Sequence, residues 1–367
     1  MINYAKHFID MHDIKAVNKV LTSDNITQGE ITKEFENELS NYTGYKFCKT
    51  LNSGTSALHA ACMAIKIKPG DEVIIPSISF VATANCVSYC GGTPVFADID
   101  PDTILIDPES IKKLITNKTK AIISMDYAGQ LADYKAIKEI CDNNQLYFIS
   151  DSCHSFGGIN RIADNTIPDI VCYSFHPAKH ITSGEGGALL TNDYILDYRV
   201  KLFRNHGRNE EGMMELLGYN YRMSEINAAL VLSQFKTKHC QFQTFRYMLA
   251  DKYIDKLKCE KLKQLKGRIH VYHLFVIKVK NRKNRNKFIN YMKKREIQCV
   301  IHFPPIYKNS FYYDPLDKID YSKQCPNTEK VADQIISIPL YYNLLFEQQE
   351  YIINCINEFM KEGLNLK

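Results

Sequence analysis

The run Asp169–Asp193, DIVCYSFHPAKHITSGEGGALLTND, decides the fold. Two short apolar segments, DIVCYSF and ALLTND, flank a loop of histidines, hydroxyls and glycines that carries a single lysine, Lys179. Apolar runs of that length, bounded by Pro and Gly, read as buried strands. A lysine fixed just beyond a rigid strand end is what covalent carbonyl chemistry needs. Taken alone, it is an ordinary solvated loop lysine and GEGG an ordinary turn, so the rest of the chain has to decide.

Outward from this run, residues 50 to 195 repeat one rhythm. The short apolar runs EVIIP, PVFADI, AIISMDY and LYFISD alternate with helical stretches such as ATANCVSYC and DYKAIKEICDNN. Strands alternating with helices predict crossover units and an α/β fold, with a mostly parallel sheet covered on both faces. Ligands in such sheets bind beyond the carboxyl ends of the strands. Past about residue 235 the rhythm changes to long polar helices, such as KTKHCQFQTFRYMLADKYIDKLK, mixed with the strand-like VYHLFVIKVK and QCVIHF. This predicts a large domain over 1–235 and a smaller α+β domain over 236–367, with the boundary near Ser233.

Composition narrows the class. The chain has 367 residues, 45% of them hydrophobic, enough for a sizeable core and two domains. Its first thirty residues hold Lys, Asp and His at short intervals, with neither a signal-peptide core nor a span of roughly 20 apolar residues, so no membrane role and a cytoplasmic location are expected. The 12 cysteines are scattered without paired CxxC spacing, which argues for buried reduced thiols and against a metal site. The net charge of +5 is concentrated in KLKCEKLKQLKGR (256–268) and KVKNRKNRNKF (278–288), neither of which has the aromatic interleaving of a nucleic-acid groove. No nucleic-acid partner is expected.

The polar motifs fall at predicted strand ends. NSGTS, Asn52–Ser56, opens the helix ALHAACMAI, where free amides and the helix dipole suit a phosphate, or where Ser53 or Thr55 simply caps. Asp151 ends LYFIS; a carboxylate there holds a pyridinium N–H or caps a helix. His154 follows in the same turn. Phe80, after EVIIP, is placed to stack on a flat ring or to sit in the core. Ser174 and His176 offer further polar contacts, and Asn220 and Arg222 stand as contacts or caps before the helix SEINAAL.

Together these motifs resemble the fold-type I, pyridoxal phosphate-dependent sugar aminotransferases of the DegT/DnrJ/EryC1/StrS family. The likeness runs through NITQGEITKEFENEL, NSGTSALHAACMAI, PGDEVIIPSISFVATAN, GGTPVFADIDPDT, TKAIISMDYAG, SDSCHSFGG, SFHPAKHITSGEGGALLTND and GYNYRMSEINAAL. The resemblance implies that Lys179 is the Schiff-base lysine and Asp151 the partner of the pyridine nitrogen. Phe80 matches the ring-stacking aromatic, His154 a position beside the ring, and Gly54, Thr55 and Ser174 the phosphate-binding positions. Asn220 matches a residue that reaches the phosphate from the other subunit, which implies a homodimer with a shared active site. Tyr4, the segment Asn25, Ile26 and Thr27, and the segment His302, Phe303, Pro304 and Tyr307 match regions that contact the nucleotide sugar in relatives. Many relatives carry Tyr where this chain has Phe303, so one hydroxyl contact is lacking.

What the resemblance implies for activity is a two-stage amino transfer. L-Glutamate converts the cofactor to pyridoxamine phosphate, and the 4-keto carbon of a nucleotide-linked 4-keto-6-deoxy sugar then takes the nitrogen, with Lys179 moving the proton. PSISFVATAN, SMDYAG and SDSCHSFG are most similar to the branch that serves pseudaminic acid synthesis from UDP-linked N-acetyl sugars; GDP-linked perosamine-type and C3-aminating enzymes are the alternatives. Sugar 3-dehydrases carry histidine in place of the lysine, whereas here the histidine is one step later, at His180. Cysteine desulfurases use a loop cysteine, and Arg161–Thr166 and Gly207–Met214 contain none. A non-catalytic regulator of this fold would be expected to lack Lys179 or Asp151, and both are present.

Overall fold

A computed structural model of the protein describes residues 1–158, 167–265, 267–313 and 319–361; the loop Arg161–Thr166 lies outside them. Helices α1 (Met11–Leu21) and α2 (Glu30–Thr43) precede an alternating stretch. It runs β1 (Phe47–Leu51), α3 (Gly54–Ala64), β2 (Glu72–Pro76), α4 (Ala82–Tyr89), β3 (Thr93–Ala97), α5 (Pro108–Leu114), β4 (Thr119–Met125), α6 (Tyr134–Asn144) and β5 (Tyr147–Asp151). Strands β6 (Ile170–Ser174) and β7 (Gly187–Thr191) and helices α7 (Tyr194–Phe203), α8 (Glu225–Thr237) and α9 (His239–Lys256) follow. The remainder is β8 (Glu260–Lys261), β9 (Phe275–Lys278), α10 (Arg282–Lys294), α11 (Tyr321–Gln324), α12 (Pro326–Val331), β10 (Ile335–Ile338) and α13 (Phe346–Lys361).

The first seven strands form one sheet in the order β1-β7-β6-β5-β4-β2-β3. Parallel pairing joins β3, β2, β4, β5 and β6, and only β7 runs against its neighbours β6 and β1. Every residue of β7 is buried, as a strand covered on both faces requires. One core packs Phe35, Phe148, Phe175 and Ile122 on one face of the sheet; another packs Leu58, Ile75 and Cys172 on the other face, beneath α3 and α4. The antiparallel sheet β10-β9-β8 forms a third core with α9, α10 and α13 around Tyr253, Phe288 and Phe359. Residue 235, the last of the large domain on the sequence reading, lies within α8.

The strand expectations for β2 to β7 match the observed strands to within a few residues. Further along, the match is looser. VYHLFVIKVK yields only β9, because Val271 and Leu274 donate instead to the carbonyls of Gly129 and Ala128, at 2.8 and 3.2 Å. QCVIHF contributes a single bridge, Val300 to Ser337. The polar helix KTKHCQFQTFRYMLADKYIDKLK is broken at Lys238, whose buried ammonium reaches Asp13 at 3.0 Å and Asp10 at 3.1 Å. Among the described residues no helix is long and apolar enough to cross a membrane.

Candidate active site

A cavity of about 390 Å³ opens at the carboxyl ends of β1, β5 and β6. Its walls bring together Tyr4, Gly54, Thr55, Phe80, Asp151, His154, Ser174, Lys179, His302 and Phe303 from positions that span three hundred residues of sequence.

The floor is built by β1 and α3. Ser53 caps the helix by accepting the Ser56 amide at 3.0 Å, which leaves Gly54 and Thr55 to face the cavity at the helix N-terminus. A side chain at position 54 would force its neighbours apart: a Cβ there would sit 2.7 Å from Ser174 Cβ and 3.1 Å from Cys153 Sγ. This close approach is what lets helix amides, Thr55 and Ser174 converge on one small region, the arrangement that holds a phosphate.

Asp151 ends β5 and is 2% exposed. Its Oδ2 accepts Thr83 Oγ1 at 2.7 Å, its Oδ1 accepts the Cys153 amide at 3.2 Å, and it forms no salt bridge with any described residue. Thr83 is itself held by Ser79 at 2.6 Å. A buried carboxylate so aimed, in no salt bridge with a described residue, fits the protonated nitrogen of a pyridine ring. Phe80 stands half exposed at the cavity wall with its ring centroid 5.7 Å from that of Phe303.

Lys179 is delivered by a tight turn after β6, in which its amide donates to the His176 carbonyl at 2.8 Å. Burial pulls its pKa below the usual lysine value, against an opposing attraction from Cys153 and Asp151. His180 points away, its ring hydrogen-bonded to the Val271 carbonyl at 3.0 Å, so the lysine and not the histidine faces the cavity.

Three histidines surround the lysine. His154 packs against His273 with centroids 4.2 Å apart and the rings tilted by 44°, and His302 bonds Ser337 Oγ at 2.9 Å. Burial keeps all three neutral, with the positive neighbour Lys179 adding to the effect; His302 is lowered to about 4. His154 and His273 each have a buried Nδ1 without a hydrogen-bond partner among the described residues. Sequence reading missed His273, Cys153 and Glu185, which also line the cavity. The only available signal for His273 was a ring nitrogen interrupting the apolar run VYHLFVIKVK.

Other predicted site residues lie elsewhere. Asn25 and Thr27 are exposed and bonded to each other at 3.0 Å, and Ile26 is 49% exposed. Asn25 borders a separate hollow with Arg204, Asn205 and Arg208. Asn220 is exposed near it, its carbonyl accepting Asn52 Nδ2 at 3.3 Å. Neither Asn220 nor Arg222 caps α8: Ser224 does, and Arg222 bonds Asn205 at 2.7 Å. Pro304 is exposed, whereas Tyr307 is core, stacked on Tyr321 at 4.3 Å and bonded to Glu329 at 2.7 Å.

These features define the class, and comparison with known proteins agrees. Residues 7–357 match the DegT/DnrJ/EryC1/StrS aminotransferase family, and the chain belongs to that family. It is a pyridoxal phosphate-dependent sugar aminotransferase. Among solved structures it is similar to Helicobacter pylori PseC, an aminotransferase involved in the biosynthesis of pseudoaminic acid, at 32% identity and a TM-score of 0.90 over 98% of this chain and 99% of that one. It is likewise similar to the pyridoxal phosphate form of a putative sugar aminotransferase from Streptococcus pneumoniae, at 26% identity and a TM-score of 0.92 over 98% of each chain. An uncharacterized protein of Methanocaldococcus jannaschii is 33% identical, over 97% of this chain and 96% of its own.

Proposed function

We propose that the protein transfers the amino group of L-glutamate to C4 of a UDP-linked 4-keto-6-deoxy N-acetyl sugar, in the cytoplasm, as a step toward a pseudaminic acid-type sugar. The observation that carries the reading is one cavity holding a desolvated lysine and a buried carboxylate that forms no salt bridge with any described residue. The likeness to PseC supports the choice of sugar.

The bound cofactor supplies an electrophilic carbonyl and an electron sink for the developing carbanion. In this reading Thr55, Ser174 and the α3 amides hold its phosphate, and Asp151 holds a proton at the ring nitrogen through a carboxylate that Thr83 keeps aimed. Phe80 covers the ring from the cavity side, and His154 stands beside it. Lys179 Nζ would take the proton from the donor carbon and deliver it to the cofactor's carbonyl carbon in the first half-reaction, and would take a proton from that carbon and deliver it to C4 of the sugar in the second. Its lowered pKa leaves more of the free amine available near neutral pH than an exposed lysine would have. Tyr4, His302 and Phe303 form the sugar-facing wall, and the neutral state of His302 lets its ring accept as well as donate.

The lone chain leaves Asn220 outside its cavity, on a segment that exposes Met213, Met214 and Leu217 at 67%, 70% and 69%. Apolar exposure of that kind supports a homodimer, in which Asn220 of one subunit completes the phosphate site of the other. Incubation with pyridoxal phosphate, L-glutamate and a panel of UDP- and GDP-linked keto sugars tests the substrate. Fastest turnover is expected with the UDP-linked N-acetyl 4-keto sugar, aminated at C4. Faster turnover of a GDP-linked sugar, or amination at C3, would overturn that assignment.

A further inference from the structure

Beside the cavity lies a buried carboxylate to which the proposed chemistry gives no task. Asp126 follows directly on β4, is 0% exposed and forms no salt bridge with any described residue. Its Oδ1 accepts the Ala132 amide at 3.0 Å. Its Oδ2 accepts Tyr134 Oη at 2.6 Å, Ser152 Oγ at 2.9 Å and Ser155 Oγ at 2.5 Å, with Ser150 Oγ further off at 3.4 Å. The Asp126 amide, in turn, donates to the carbonyl of Asp151 at 3.2 Å. Burial raises the pKa of this carboxyl, and the hydroxyl and amide donors around it oppose that shift by stabilising the charged form.

The location of those donors gives the arrangement a meaning. Ser152 and Ser155 bracket Cys153 and His154, the two residues of this turn that line the cavity. The residues after Asp126 grip the other walls: Tyr127 Oη donates to the His302 carbonyl, and the Ala128 and Gly129 carbonyls hold the segment that carries His273. Gly129 has φ of +97°, and a Cβ there would meet the His273 amide at 2.8 Å and the His154 carbonyl at 3.0 Å. One turn thus registers the three segments bearing His154, His273 and His302.

We propose that Asp126 is a positioning residue for the cofactor: by fixing Ser152 and Ser155 it sets where Cys153 and His154 meet the pyridine ring. The inference rests on the proposed cofactor contacts. Because each serine hydroxyl donates to one carboxylate oxygen, Asp126→Asn puts an N–H₂ donor where an acceptor served several hydroxyls, at almost unchanged volume.

The test uses the full chain with pyridoxal phosphate and reads cofactor affinity by titration, then the visible circular dichroism of the bound cofactor at saturation. That signal depends on ring orientation and is blind to a loss of global stability. Asp126→Asn is expected to weaken cofactor binding at least about ten-fold and to change the dichroic band at saturation. The double variant Ser152→Ala/Ser155→Ala, which keeps the carboxylate, is expected to do the same, and Ser155→Thr, which keeps the hydroxyl, to resemble wild type. If Asp126→Asn does not fold, the serine variants decide. Wild-type affinity and dichroism in the folded variants would overturn the inference. Failure of wild type itself to show a band that depends on Lys179 would instead overturn the site reading on which it rests.

Discussion

Gly54→Ala isolates the phosphate cradle. The added methyl would lie 2.7 Å from Ser174 Cβ and 3.1 Å from Cys153 Sγ. Carbon atoms in contact normally sit about 3.5–4.0 Å apart, so α3 and the β6 end must separate by about 1 Å. Neither neighbour is the free end of a flexible chain: Ser174 is held on β6, and Cys153 is fixed by its amide to Asp151. Overpacking of this kind costs about 1–3 kcal/mol. If the strain falls on the conformation that binds phosphate, the cofactor dissociation constant rises by a factor of about 5 to 150. The assay is absorbance titration of apo-protein with pyridoxal phosphate, with thermal unfolding of the apo-protein as a fold control. A folded Gly54→Ala protein that binds within two-fold of wild type would refute the argument that Gly54 is there for close approach at the phosphate site.

Tyr307→Phe removes a partly buried hydroxyl that bonds Glu329 at 2.7 Å, so it should lower apo-protein stability by about 1 kcal/mol while leaving KM for the sugar within two-fold. A raised KM with an unchanged melting temperature would return Tyr307 to the substrate wall. His302 and His180 are lowered by burial to about 4 and about 3, so both stay neutral in the folded protein at a pH where the unfolded chain is protonated. The stability they contribute is full above about pH 6.5 and is lost as pH falls toward those values, by about 2 kcal/mol per histidine between pH 6.5 and 5. Calorimetry of the apo-protein at pH 7 and 5 should show that drop, and a flat melting temperature would contradict it.

Gly54, Asp151 and Lys179, which line one cavity, are legible because they sit at the ends of strands whose apolar runs are unmistakable: Asp151 after LYFIS, Lys179 after DIVCYSF, Gly54 at a helix start. Strand order and the reversal of β7 were not legible, since sequence proximity does not say which strands pair. His273 escaped notice because the segment 271–274 owes its conformation to the Ala128–Gly129 turn, a partner more than a hundred residues away. Tyr307 illustrates a related limit: motif position groups it with His302, whereas its ring turns inward onto Phe96 and Tyr321. Asn25 borders a second hollow outside the cavity, and Asn220 is exposed where its backbone bridges Asn205 on the wall of that hollow, a placement that motif position alone does not reveal.

The most direct measurement is the absorption spectrum of purified protein with pyridoxal phosphate, before and after L-glutamate, for wild type and Lys179→Ala. The account predicts a visible band in wild type that glutamate discharges with release of 2-oxoglutarate, and no such band in the variant. A band that persists in Lys179→Ala, or a wild-type band that no amino donor moves, would contradict it.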